Sequence, residues 1–220
     1  MLQIVARRSC DRATIHTGRM ICAGPRNSFP GFESEKEKTY MSLGLSLVSE
    51  LERLASALES DAQSKEPFSL SSVAERIAKT LGVKVDEVAI MGVSTRWRHL
   101  YFLVPEILKN VGYIPLSSNS ALAARTARES RPEIMNNFAA VRHASVFEGA
   151  KVSGDSSGEA IQKIISAPIL AAGRVVGIIQ ISRKGSNAIN AGPDFTPDEL
   201  GKVLALCKPL GKLLLHATRE

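Results

Sequence analysis

IQKIISAPILAAGRVVGIIQISRK, residues 161–184, decides the reading of this chain. Two β-branched apolar runs, 161–170 and 175–181, flank the small segment Ala171-Ala172-Gly173-Arg174. Runs this short, rich in Ile and Val and bounded by Gly, favour strands over helix. A short loop of small residues ending in Gly joins such strands as a hairpin. Pro168 has no N–H for a ladder, which places the first strand at an edge, at a bulge or at its end there. The second run, Val-Val-Gly-Ile-Ile-Gln-Ile, is apolar in succession, as a central strand covered on both faces requires. The hairpin is therefore expected at the centre of a sheet.

Downstream, Ser186 to Pro193 is a polar loop and Phe195-Thr196-Pro197-Asp198-Glu199-Leu200 opens a helix. Thr196 suits the N-cap, Pro197 the first helical position, and Glu199 completes a capping box. Asp198 and Glu199 stand where the helix dipole favours negative charge. In this final helix Leu200, Val203, Cys207, Leu210, Leu214 and Ala217 make one apolar seam, widened by Leu204 and Leu213. Pro209 followed by Gly211 predicts a kink.

Taken together, SAPILAAGRVVGIIQISRKG (166–185) and FTPDELGKVLALCKPLGKLL (195–214) resemble the C-terminal half of a GAF domain, a ligand-sensing module. The shared pattern is an A-V/I-P strand, a G-R/K-V strand with an internal Gly, and F-T-P-D/E-D/E-L at the last helix. The resemblance implies an α/β fold with a central antiparallel sheet of about six strands, flanked by N- and C-terminal helices. It also implies a small-molecule cavity between the sheet and lid helices.

Composition bounds the function. An apolar fraction of 44% is ordinary for a soluble globular chain. No apolar run approaches the ~20 residues that span a bilayer, so no membrane partner is expected. Of the net charge of +6, five Arg against one Asp in residues 1–31 supply +4. The body is then near neutral, which argues against a nucleic-acid surface, as do the sparse aromatics. Cysteines 10, 22 and 207 show neither metal spacing nor a disulfide framework, so reduced thiols and a cytoplasmic location are expected.

The organisation expected is a disordered basic tail over 1–40, an amphipathic helix and linker over 41–66, and a GAF-like domain over 67–220. The Arg-rich tail also fits a targeting peptide, or translation that begins at Met20 or Met41. Leu47, Leu51, Leu54 and Leu58 give residues 42–62 a helical apolar face, suited to packing on its own domain or to dimerisation. Residues 69–82 predict a helix capped by Ser69 or Ser71 and ended by Gly82, with Val73, Ala74, Ile77, Ala78 and Leu81 inward. It has a helix-turn-helix flavour, but Val83 to Val93 is strand-like and not a polar recognition helix, so a DNA-binding regulator is disfavoured. A turn over 94–98, strands at 99–104 and 112–116, a helix over 120–130 and a short strand near 131–137 follow. Any of Ser117, Ser118, Asn119 or Ser120 suits the cap of that helix. Arg125, Arg128 and Arg131 stand three apart, on a solvated face or toward an acidic ligand. Residues 138–152 read as a short helix, which the resemblance makes a lid.

Tyr113, Asn119, Asn136, His143 and Phe147 are the candidate pocket-lining residues that this resemblance singles out; no catalytic or metal-binding residue is assigned. Phosphate loops, HExxH, HD-type metal pairs and CxxC are missing. Among GAF-like proteins, reductases of free methionine sulfoxide use pocket cysteines, and bilin carriers attach through one. This chain has none between Cys22 and Cys207. The cyclic-nucleotide signature N-K…F-x-x-x-D-E is matched only by Arg183-Lys184 and Phe195…Asp198-Glu199, one residue short and without its asparagine. Haem would need an axial histidine, for which only His143 stands. The expectation is a non-enzymatic sensor that binds an unidentified small molecule, forms a homodimer through its terminal helices, and signals through that dimer or through contacts with a separate output protein. A ligand-free scaffold or dimerisation module of the same fold is the alternative.

Overall fold

The computed structural model describes residues 46–57, 69–110, 112–140 and 159–217. The expected tail, most of the linker, and the lid beyond Ala140, with His143 and Phe147, lie outside them. Strands β1 (Val88–Ser94), β2 (His99–Val104), β3 (Ile114–Pro115), β4 (Glu133–Met135), β5 (Ala160–Ala171) and β6 (Arg174–Gly185) make one sheet. Its order is β3-β2-β1-β6-β5-β4, and every neighbouring pair is antiparallel. The β5–β6 hairpin is central, and β6 is buried along most of its length, as its unbroken apolar run requires. Pro168 pairs with Ile178 of β6, while β4 reaches only Ile164 to Ser166. At Pro168 the strand is thus locally an edge, with a register shift just after it at Ile169/Leu170.

A two-residue turn, Ala172-Gly173, closes the hairpin, both residues with positive φ (48° and 74°). These are the angles of a type I′ turn, whose twist matches that of the strands.

Three helices cover one face: α1 (46–57), α2 (Leu70–Leu81) and α4 (Pro197–Ala217). Ser69 caps α2 by accepting the Ser72 N–H, and Gly82 ends it in the left-handed conformation at φ 64°. Leu47, Leu51 and Ala55 of α1 share a core with Ile77 of α2, Val203, Leu210 and Leu214 of α4, and Ile165, Ile179 and Ile90 of the sheet. Among the described residues, Leu47 and Leu51 of the first apolar seam and Val203, Cys207, Leu210 and Leu214 of the last are buried within the chain. Leu204, expected to widen the seam, faces solvent instead, as does Leu215.

On the other face lies α3 (Leu122–Glu129), packed on Met91, Phe102 and Ile178 through Ala123 and Ala124, with the 3-10 turn Phe138–Ala140 beside it. Its N-cap is Ala121, one residue past the predicted candidates; Ser118 Oγ accepts the Ala121 N–H. Residues Val85–Glu87, read as strand, form a 3-10 turn because Glu87 Oε2 accepts the Lys84 N–H and tightens the chain. Helix α4 runs unbroken through Pro209.

Cys207 is buried in the helix-side core, and burial pushes its thiol from 9.0 up to about 12. Below the unfolded-state value both states hold the proton and stability is unaffected. As pH rises from there toward the folded value, only the unfolded chain ionises, so stability falls, by at most ~4 kcal/mol for this shift. Urea unfolding between pH 8 and pH 10.5 is expected to show a loss of ~2 kcal/mol. In Cys207→Ala this loss should shrink to the background of the other alkaline groups. Equal slopes for the two proteins would show that the thiol is not sealed.

Candidate functional site

Alternation along β5 and β6 sends Ile165, Ala167, Ile169, Ile179 and Ile181 to the helix-side core. The intervening residues Ile164, Ser166, Ile178 and Gln180 face α3. On that second face a line of polar groups is buried. Gln180 Nε2 donates to Ser166 Oγ at 3.4 Å. Ser166 Oγ and Thr126 Oγ1 lie 2.8 Å apart, and Thr126 Oγ1 donates to the Leu122 carbonyl at 3.0 Å. A hydroxyl carries one proton, so Thr126 is committed to Leu122 and Ser166 must donate to Thr126. The direction of the whole chain is fixed: amide to Ser166, Ser166 to Thr126, Thr126 to backbone. Ser182 continues the row, donating to the Glu87 carbonyl at 3.2 Å.

At the β4 edge, Asn136 holds the backbone of Phe195. Its Nδ2 donates to the Phe195 carbonyl (3.1 Å) and its Oδ1 accepts the Phe195 N–H (2.9 Å). Phe195 in turn lies under the Arg183 guanidinium, 4.1 Å from ring centroid to Cζ. Arg183 donates to the Pro193 carbonyl and pairs with Glu199 at 2.7 Å. The second oxygen of Glu199 accepts the Thr196 N–H and hydroxyl, and Thr196 Oγ1 accepts the Glu199 N–H, so the expected capping box is formed. One carboxylate therefore closes the helix cap and anchors it to β6.

The candidate residues are dispersed. Tyr113 is exposed near the β3 edge, its ring 4.2 Å from that of His99, and Asn119 is exposed in the loop before α3. Asn136 follows β4 at the opposite edge of the sheet, with both ends of its amide engaged. The three arginines of the α3 region are used internally. Arg125 pairs with Glu133 at 2.8 Å, Arg128 donates to the Leu116 and Ser118 carbonyls, and Arg131 approaches Glu129. Among the described residues, the one buried side-chain nitrogen or oxygen without a hydrogen-bond partner is Nε of Arg125. No group of three or more His, Cys, Asp or Glu among them is placed to hold a metal, and no described helix is long and apolar enough to cross a membrane.

Strand order, the layered helices and the anchored start of α4 define an α/β domain built around a central β5–β6 hairpin. No family model matches the sequence, and no curated protein matches it either. Solved structures do match. The GAF domain of an Acinetobacter phosphoenolpyruvate-protein phosphotransferase is 15% identical, with a TM-score of 0.57 over 81% of this chain and 94% of that one. Its counterpart from Coxiella burnetii is 10% identical, with a TM-score of 0.55 over 81% and 95%. The free methionine-R-sulfoxide reductase of Neisseria meningitidis, solved in complex with its substrate, is 16% identical, with a TM-score of 0.54 over 84% and 93%. In fold, this chain is a GAF-like domain.

Proposed function

We propose that the protein is a non-enzymatic sensory or regulatory module that binds a small molecule between the sheet and the α3 side, and relays its presence through α4. The observation that carries this reading is the polar row formed by Gln180 and Ser166 on one face of β5 and β6 and Thr126 of α3 above them, the other face of the two strands being aliphatic. A buried, hydrogen-bonded polar row stabilises the fold no more than a well-packed apolar one, which fits a role in recognition or specificity. Asn136 supplies the relay, because it ties the segment after β4 directly to the residues that start α4. In this reading Tyr113, Asn119, Asn136, His143 and Phe147 stay candidate contacts. A thiol enzyme is disfavoured: Cys207 lies in the helix-side core, away from the α3 side, and its raised pKa leaves little thiolate near neutral pH.

A second reading, a ligand-free scaffold, is favoured by the self-sufficiency of the same row, where each hydroxyl proton already has an acceptor. Native mass spectrometry of protein gently purified from its own cells separates the two. The sensor reading expects a stoichiometric small molecule released on denaturation, with occupancy reduced in Ser166→Ala. An empty dimer instead supports the scaffold, its contacts then on the outer surface of α4 around Leu204 and Leu215. An empty monomer overturns the sensor and the dimer alike.

A further inference from the structure

A recess lies at one end of the sheet, its lining taking Val93 and Val175 from the α3-side core and Val176 and Leu215 from the side that α4 covers. The β1–β2 turn, the β5–β6 turn and the end of α4 enclose a half-open cleft of about 540 Å³. Its walls include Arg96, Trp97, Tyr101, Ala172, Arg174 and Leu215. We propose that this cleft binds a small planar anion, a carboxylate- or phosphate-bearing aromatic or heterocyclic compound, with Arg96 and Arg174 holding the charge and Trp97 the ring.

Four observations support this. First, the size lies within the range of about 300–1,000 Å³ typical of small-molecule sites. Second, two guanidinium groups line the cleft, none of its lining residues is acidic, and neither Arg96 nor Arg174 makes an ion pair among the described residues. Arginine presents a planar fork suited to carboxylate and phosphate. Third, Trp97 is 66% exposed, with Arg96 stacked 4.9 Å from its ring centroid, so an aromatic surface is held open beside the charge. An exposed indole fixed next to a cation is an arrangement that stacking ligands use.

The fourth observation is how the floor is made. Tyr101 lies across Gly92, where a Cβ would come within 2.6 Å of the phenol ring carbon Cζ. Only glycine at 92 lets the ring lie flat; a larger residue would lift it into the cleft. The Tyr101 hydroxyl, with an ordinary value of 10.0 that burial raises further, is a protonated donor at neutral pH. On the facing turn, Ala172 adopts φ 48°, a conformation that costs a non-glycine residue about 1–2 kcal/mol.

Trp97 is the only tryptophan of the chain, so a single indole N–H resonance reports on this cleft. The ¹⁵N-labelled full chain is titrated with adenosine monophosphate, benzoate, adenosine and inorganic phosphate, and the indole cross-peak is followed. At least one of the two planar anions is expected to shift it saturably, at least about tenfold more tightly than adenosine or phosphate alone. Arg174→Gln and Arg96→Gln should each weaken that binding about tenfold with an unchanged melting temperature. Arg98→Gln, in the same turn but outside the lining, should not. No saturable shift with either anion up to about 10 mM overturns the proposal. So does equal binding of adenosine, equal binding of phosphate alone, or an equal effect of Arg98→Gln, which would mean diffuse attraction to a basic chain.

Discussion

Gly211→Ala is expected to destabilise the protein by ~2–4 kcal/mol, although the same change in an exposed helix would stabilise it by up to ~1 kcal/mol. The sign is decided by where α4 meets β5. A Cβ at 211 would stand 2.1 Å from the Leu170 carbonyl oxygen and 2.9 Å from its carbon. Both are backbone atoms of a central strand, so relief requires the helix to lift off the sheet. Leu210, Leu213 and Leu214, all fully buried, would lose contact with it. Urea unfolding gives the answer: a midpoint at or above that of the wild type would mean that α4 does not approach β5 this closely. The mirror of this contact is Gly177, whose added Cβ would meet the Met91 carbonyl at 2.6 Å and Leu214 at 2.7 Å.

Arg183→Met is expected to cost ~2–4 kcal/mol, well beyond a surface ion pair at ~0–1 kcal/mol. The side chains of Arg183 and Glu199 are only 10% and 18% exposed, so removing the cation strands a largely desolvated carboxylate. The change also deletes the bond to the Pro193 carbonyl and the stacking on Phe195. The upper figure is tempered because Glu199 keeps its bonds to Thr196. A double-mutant cycle with Glu199→Gln, read by thermal and urea unfolding, is the appropriate measurement. A coupling energy near zero would reduce the pair to an incidental contact. A large one makes it the fastening between β6 and the last helix.

How much of this was legible in the sequence depends on distance along the chain. The Thr196–Glu199 box, the Ser69 and Gly82 caps and the β5–β6 hairpin rest on residues within a few positions of each other, and all were readable. The partners of Asn136 and Glu87 lie 59 and 97 residues away, at Phe195 and Lys184. No local periodicity announces such pairs. Ser166 and Gln180 were visible only as polar interruptions of apolar runs; their facing each other and Thr126 depends on register and on where α3 crosses. In the sequence Gly211 reads as part of a kink signal, whereas its role in the fold is to admit a strand carbonyl. Trp97, Arg96 and Arg174 lie in two separate turns, and only the β1–β6 pairing brings those turns together. Tyr113 and Asn136 sit toward opposite edges of the sheet for the same reason: strand order is not sequence order.

That pairing has a consequence for synthesis. Val88 of β1 takes Ile181 of β6 as its neighbour, so the sheet cannot close until the C-terminal hairpin has been made. At about 5–20 residues per second, β1 waits on the order of 5–20 s with one unsatisfied edge, exposing Val88, Ile90 and Met91. Such an edge is a template for the β1 of a neighbouring nascent chain. Yield in cells should therefore depend on translation speed between codons 95 and 185 and on holdase chaperones, as well as on the stability of the finished domain.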